Sequence, residues 1–117
     1  MNRDIRLFID DILNAINKIE IYTEKISFEN FKSDLKTVDA VIKNFIIIGE
    51  AVKQVPSEIR NFAPQIPWRE MAGLRDKLVH GYFDIKLDVI WETVKTSLPL
   101  VKPLFSSLLK YLDEQSN

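Results

Sequence analysis

The stretch DAVIKNFIIIGEAVKQVP, residues 39–56, decides the fold class, because its apolar residues recur at the three- and four-residue spacing of one helix face. With the residues just before it, the pattern predicts a long helix from about residue 34 to residue 54. Pro56 ends that helix, since proline cannot donate the next backbone hydrogen bond. The predicted stripe consists of Val38, Val41, Ile42, Phe45, Ile48, Val52 and Val55. The centre, NFIIIGEAV, is apolar almost all round, which favours a position inside a bundle or in an interface.

The chain before this stretch is predicted to be helical as well. Residues 5–19 carry a second amphipathic stripe: Ile5, Phe8, Ile9, Ile12, Ile16 and Ile19. In the segment SFENFKSD, Ser27 is a suitable N-cap for one short helical turn.

The chain after Pro56 continues in the same way. PSEIRNFAPQIP predicts a short helical turn and a loop, and Pro67 suits the first position of the next main helix. That helix should stop at His80, with Gly81 as a left-handed C-terminal cap. A last helix starts at Asp84 or Asp88. Its stripe is Leu87, Ile90, Trp91, Val94, Leu98, Val101, Phe105, Leu108 and Leu112, and Pro99 and Pro103 should bend it or divide it in two.

Length and composition agree with this pattern. The chain has 117 residues, 46% of them hydrophobic, which fits one compact domain over residues 1–117 with a real core. Three glycines and five prolines are too few turn-formers for a many-stranded sandwich. We therefore expect an all-α, up-and-down helical bundle of about four main helices.

Several classes of function are disfavoured by composition. The absence of cysteine excludes disulfides, thiolate nucleophiles and the common structural zinc sites, and it fits a reducing compartment. The N-terminus is charged from Arg3 onwards and no apolar run reaches spanning length, so a cytoplasmic location is expected. A net charge of -1 argues against a tight, non-specific DNA binder.

The stretch GLRDKLVHGYF, residues 73–83, holds the single histidine of the chain. One interpretation is purely structural: His80 lies in the last turn, where it interacts well with the helix dipole, and Asp76 is four residues earlier on the same face. The other interpretation is catalytic. Arg75 and His80 are about 140° apart around a helix, but both side chains can reach one cleft near the helix end.

A cation beside an acid–base group suits cleavage of an RNA phosphodiester without a metal, with the neighbouring 2′-hydroxyl as nucleophile. In this interpretation Asp76 orients the imidazole of His80 and favours its protonated form. The reaction needs one group that takes a proton and another that gives one, whereas the chain has one histidine. A two-fold dimer with both motifs facing one cleft would supply two.

The motif RDKLVHGY, with Arg75, His80 and Tyr82, resembles the Arg-x4-His-x-Tyr signature of the HepT-like toxins, a branch of the HEPN superfamily. The resemblance extends to IGEA, IPWREMAGLRDKLVHGYF (residues 66–83), VIWETV and the opening DIRLFIDDILNAINKIEIYTE, and covers nearly the whole chain. The family often has another polar or charged residue where this chain has Gly81.

The resemblance implies an all-α homodimer that cuts RNA without a metal or other cofactor, as the toxin of a type VII-like toxin–antitoxin pair. It implies that Arg75 and His80 are catalytic and that Asp76 supports them. It also implies a partner, an MNT-type nucleotidyltransferase antitoxin, which neutralises the toxin by attaching AMP to Tyr82. The added negative charge and bulk would block the cleft to a phosphate backbone.

Other marked residues are given structural roles. Glu50 is expected to face the cleft or to pair with a basic group across the bundle, in a structural or dimer role. Gly49 is expected to permit close helix packing, and Trp68 and Trp91 to anchor the core or an interface. Lys77 and Arg69 could contact RNA phosphates, but a solvated face is the favoured interpretation. The acidic residues Asp10, Asp11 and Asp39 show no convincing metal-ligand spacing.

Two other functions stay open beside the ribonuclease. One is a non-catalytic helical adaptor that binds a nucleotidyltransferase, which would form a complex without cleaving RNA. The other is a nucleotide-binding regulatory bundle, which would bind ATP or AMP saturably. The intact set of Arg75, His80 and Tyr82 favours the ribonuclease, since an adaptor has no physical need for all three.

Overall fold

A computed structural model describes residues 3–81 and 84–116, and in those residues the chain is helical with no strand. The helices are α1 (Ile5–Thr23), α2 (Phe28–Ser33), α3 (Leu35–Gln54), α4 (Ser57–Phe62), α5 (Trp68–His80), α6 (Leu87–Glu92) and α7 (Leu98–Gln115). A π-helical turn, Thr93–Ser97, joins α6 to α7. Helices α1, α3, α5 and the α6–α7 segment are the four main elements, so the predicted all-α bundle is confirmed.

The core lies where the predicted stripes of α1, α3 and α7 meet. Every member of the α3 stripe is buried, which places α3 in the middle of the bundle. From α1 the core takes Ile9, Ile12, Ile16 and Ile19, and from α7 it takes Leu98, Val101, Phe105 and Leu108. Each fully buried aliphatic side chain stabilises the fold by about 1.5–3 kcal/mol relative to an exposed one. Helix α5 contributes only Trp68 and Leu78 to the buried set, so it lies at the edge of the bundle.

The starts of the helices follow local capping rules, with corrections of one or two residues. The Ser27 hydroxyl accepts from the N–H of Asn30 at 3.1 Å, as predicted. Asp34 caps α3 through the N–H of Thr37 at 3.2 Å. Pro67 is the N-cap of α5 rather than its first helical residue.

The last helical segment differs from prediction at its start. Helix α6 begins at Leu87 with Lys86 at its N-cap, so neither Asp84 nor Asp88 starts it. The Asp88 carboxylate instead accepts from the N–H of Val89 at 3.0 Å, inside the first turn.

The predicted division of this segment occurs at the π-helical turn that directly precedes α7. Pro99 stands in the first turn of α7, where its missing N–H does least harm. Pro103 lies inside α7 and does not divide it, since the helix continues to Gln115.

The two tryptophans pack as predicted for structural anchors. Trp68 is buried, donates from Nε1 to the carbonyl of Ala63 at 3.0 Å, and meets the Phe105 ring edge-on at 5.5 Å between centroids. Trp91 is half-buried against Phe31, with 5.0 Å between ring centroids. Within the described ranges, no helix is long and apolar enough to cross a membrane.

Candidate active site

Helix α5 carries Arg75, Asp76 and His80 and ends at His80, as predicted. The predicted left-handed cap is wrong: Gly81 has φ -132° and ψ 37°. Its N–H bonds the carbonyl of Lys77 at 2.7 Å, so one more helical hydrogen bond forms without a positive φ. The end of α5 is therefore held by the backbone, and His80 occupies its last helical position.

Helices α3 and α5 approach each other closely at Gly49. A Cβ added at Gly49 would lie 2.1 Å from Cβ and 2.8 Å from Cγ of Arg75, and 3.2 Å from the Met71 carbonyl oxygen. Any side chain at residue 49 would push α5 away. Gly49 therefore fixes where the backbone of Arg75 lies against α3, and the predicted packing role of Gly49 is confirmed.

The guanidinium of Arg75 is held by two carboxylates. Its Nε donates to Glu50 Oε1 at 2.6 Å, and its Nη1 donates to Asp76 Oδ1 at 3.0 Å. Nη2 forms an ion pair with the same Glu50 oxygen. Both carboxylates raise the pKa of Arg75, Glu50 more than Asp76, so its charge is permanent. Glu50 therefore pairs with a basic group across the bundle, one of its two expected positions.

The Asp76 carboxylate is shared with Lys53 of α3, whose Nζ lies 2.5 Å from Asp76 Oδ1. Hydrogen bonds from Lys53 first, and then from Arg75, lower the pKa of Asp76. The four side chains Glu50, Lys53, Arg75 and Asp76 form one ion-pair network of zero net charge. Within a single chain, the network ties α3 to α5. It also holds Arg75, the candidate catalytic arginine, in a fixed orientation.

His80 is exposed at the end of α5. In the part of the chain that the structure describes, the hydrogen bonds of Asp76 go to Lys53 and Arg75 rather than to His80. Among the described residues, Asp76 therefore orients Arg75, and the expected Asp76–His80 contact is not present. The third motif residue, Tyr82, lies outside the described residues.

Lys53 is the network member that the sequence did not single out. A weak signal exists: Lys53 is three residues after Glu50, so the two are neighbours on one helix face. Nothing local indicates that this face meets Arg75 and Asp76, because 23 residues separate Lys53 from Asp76.

Helix α5 also lines an apolar groove, whose lining includes none of the four network side chains. A groove of about 330 Å³ runs between α3, α5 and the α6–α7 segment, lined by Phe45, Met71, Leu74 and Leu98 among others. No group of three or more metal-ligating side chains occurs in residues 3–81 and 84–116.

Comparison with known proteins places this chain in a family. The profile of the family described as "Ribonuclease HepT-like" matches residues 12–108. The chain is 46% identical over 110 residues to the "Probable ribonuclease HepT" of Thermococcus cleftensis, covering 94% of this chain and all of the relative. It is 41% identical over 113 residues to the "Putative RNase MJ0125" of Methanocaldococcus jannaschii, with 97% of each chain covered.

A second protein of the same organism, "Putative RNase MJ1216", is 39% identical over 111 residues, covering 95% of this chain and 92% of that one. No solved structure matches the chain. The family match spans most of the chain, and the matched residues include all of α3 and α5. The chain belongs to the HepT-like ribonuclease family.

Proposed function

We propose that this chain is a metal-independent endoribonuclease that acts as a homodimer, with Arg75 and His80 as its catalytic residues. The observation that carries the proposal is the fixed guanidinium of Arg75, held by Glu50 and Asp76 on the helix that ends at His80. Two relatives carry the names "Probable ribonuclease HepT" and "Putative RNase MJ0125", which point to the same reaction class.

The proposed reaction is an internal transesterification of RNA. One imidazole takes the proton of a 2′-hydroxyl, whose oxygen attacks the adjacent phosphorus. The bond to the 5′-oxygen breaks, and a second, protonated imidazole gives that oxygen a proton. The products are a 2′,3′-cyclic phosphate and a 5′-hydroxyl end. Arg75 stabilises the negative charge that develops on the phosphorane oxygens.

The geometry of Arg75 suits this role. An arginine has five N–H donors. The contacts with Glu50 and Asp76 use at most three of them, so at least two, on the Nη atoms, remain for a phosphate. A guanidinium fixed before substrate arrives pays little reorganisation cost in the transition state. Glu50 and Asp76 are thus positioning residues for Arg75.

A second copy of the chain is part of the proposal because the reaction needs two imidazoles and the chain has one. The apolar groove beside α5 supports this arrangement. It is lined by half-buried side chains of Met71 and Leu74, on the helix that carries the motif. A dimer that covers this groove would bring two copies of α5 together.

Regulation by a nucleotidyltransferase partner completes the proposal. In a toxin–antitoxin pair of type VII, the antitoxin would transfer AMP from ATP to the phenolic oxygen of Tyr82, with release of pyrophosphate. Tyr82 is two residues after His80, so the attached phosphate would lie within reach of the arginines of the cleft. The modification would block RNA without a change of fold.

The test is RNA cleavage by the purified protein in EDTA, beside His80→Ala and Arg75→Ala at equal concentration. We expect cleavage by the wild type that leaves 2′,3′-cyclic phosphate ends, and none by His80→Ala. Mixing the two variants should restore no activity, because a mixed dimer holds one histidine and the proposed reaction needs two. Equal cleavage by the wild type and both variants would refute the assignment.

A sample that does not cleave RNA is resolved by its intact mass. A mass increase of one AMP would mean an inhibited ribonuclease, and removal of the AMP should restore cleavage. An unmodified and inactive protein that still binds a nucleotidyltransferase would support the adaptor instead.

A further inference from the structure

A polar groove of about 640 Å³ opens where α4 and the loop after it meet the start of α5. It lies away from the ion-pair network, at the opposite end of α5 from His80. Its polar lining includes Ser57, Arg60, Asn61, Gln65, Arg69 and Glu70. Two arginines against one glutamate give this lining a net positive charge.

The two arginines of the groove differ from the other three in the chain. Arg3, Arg6 and Arg75 each form an ion pair with a carboxylate. Arg60 and Arg69 form none within the described ranges. Arg69 is exposed and Arg60 is half-buried in the same groove, so both guanidinium groups are available to an anion from outside.

Arg60 carries a second, independent observation. Its Nε is shut off from solvent and has no hydrogen-bond partner in the described part of the protein. A buried, unsatisfied donor on a charged group is unfavourable. A small rotation of the side chain that presents Nε and Nη to one oxyanion would satisfy it, and a phosphate offers the planar pair of oxygens that a guanidinium binds best.

We propose that Arg60 and Arg69 form a secondary binding site for the phosphate backbone of the RNA substrate, remote from the cleaved bond. The proposal rests on the proposed ribonuclease function and adds a substrate contact to it. Asn61 and Gln65 supply further neutral donors in the same groove. Such contacts hold and orient the strand without reading its sequence.

The length of α5 sets the reach of this site. The helix has 13 residues, so its ends are about 18 Å apart at 1.5 Å per residue. A dinucleotide held at His80 cannot extend that far, whereas a longer strand can contact both sites. The groove should therefore affect binding and cleavage of long RNA and leave cleavage of a dinucleotide unchanged.

The experiment compares RNA binding at several salt concentrations, all in the His80→Ala background so that no strand is cut. The test variant is Arg60→Gln/Arg69→Gln. Its matched control is Lys25→Gln/Lys36→Gln, which removes the same charge from exposed positions outside the groove. A third variant, Arg60→Lys/Arg69→Lys, keeps the charge but loses the fork of donors.

For two phosphate contacts, the slope of log K against log salt should fall by about 1.4 with single-stranded RNA in the Arg→Gln variant. We also expect about a tenfold loss of affinity at low salt for that variant, while the lysine control keeps both values. The Arg→Lys variant should keep the slope and lose part of the affinity. With His80 restored, the Arg→Gln variant should cleave a dinucleotide at the wild-type rate and long RNA more slowly.

The results that would overturn the proposed RNA site in the groove can be distinguished from one another. If the Arg→Gln variant binds RNA as the control does, the groove is not an RNA site, while the ribonuclease function stands. If the His80→Ala parent binds no RNA at low salt and the wild type cleaves none, with both proteins shown free of AMP by intact mass, both proposals fail. Unchanged RNA binding together with loss of binding to the nucleotidyltransferase would identify the groove as a protein-docking surface instead.

Discussion

Replacement of Gly49 by alanine places a methyl group where there is no room for one. Its Cβ would lie 2.1 Å from the Arg75 Cβ, whereas carbon atoms in contact prefer about 3.5–4.0 Å. Both atoms are fixed to helix backbones, so side-chain rotation cannot relieve the clash. We expect α5 to move away from α3 by roughly 1.5 Å at this point.

The cost in stability is measured against a matched substitution, Gly73→Ala. Gly73 lies inside α5, and a Cβ there would meet nothing within 4 Å. Both changes gain the same helix propensity, about 1 kcal/mol over glycine. The difference in unfolding free energy between the two variants therefore isolates the clash, and it should be about 1–3 kcal/mol, with Gly49→Ala the less stable. Urea denaturation of both proteins measures it.

The effect on cleavage should be larger than the effect on folding. A displacement of about 1 Å in a catalytic group can cost about 100-fold in rate. We expect Gly49→Ala to lose about that factor in RNA cleavage under conditions where it is fully folded, and Gly73→Ala to remain active. Equal stability and equal cleavage rates for Gly49→Ala and Gly73→Ala would refute the claim that the close approach of α3 to Arg75 positions the guanidinium.

The remaining predictions concern the charges of the chain. Glu50→Gln keeps a hydrogen-bond acceptor but removes a charge, so the guanidinium of Arg75 should be held less firmly. We expect kcat to fall about tenfold. The unfolding free energy should stay within about 1 kcal/mol of the wild type, since the carboxylate is half-exposed. Full wild-type kcat would contradict its positioning role.

Acid should weaken the fold through two carboxylates. Arg6 lowers the pKa of Asp4 from 3.8 to about 2, and Lys53 lowers that of Asp76. Stability that these groups supply is present above pH of about 4 and is lost as the pH falls through the lowered folded-state pKa. Urea midpoints of Asp4→Asn should therefore change less between pH 4 and 2 than those of the wild type, and an equal change would contradict this assignment.

The elements themselves were predictable because they depend on neighbours in sequence. The α3 stripe, the Ser27 cap and the end of α5 at His80 all follow from contacts within about four residues, and the structure confirms each. The sequence-based predictions were wrong where two local conformations of similar energy compete. Gly81 closes its hydrogen bond without a left-handed turn, and Lys86 rather than an aspartate precedes the last helical segment.

By itself the sequence determined the all-α class, the positions of the main helices, the family and the motif residues Arg75 and His80. Only the tertiary structure decided what holds Arg75: Glu50 lies 25 residues earlier, and Lys53 reaches Asp76 across 23. The same holds for the groove of Arg60 and Arg69, which joins α4 to α5. The physical reason is that periodicity reports which face of a helix is apolar, whereas pairing of charged side chains depends on how two packed helices cross and how closely a glycine lets them approach.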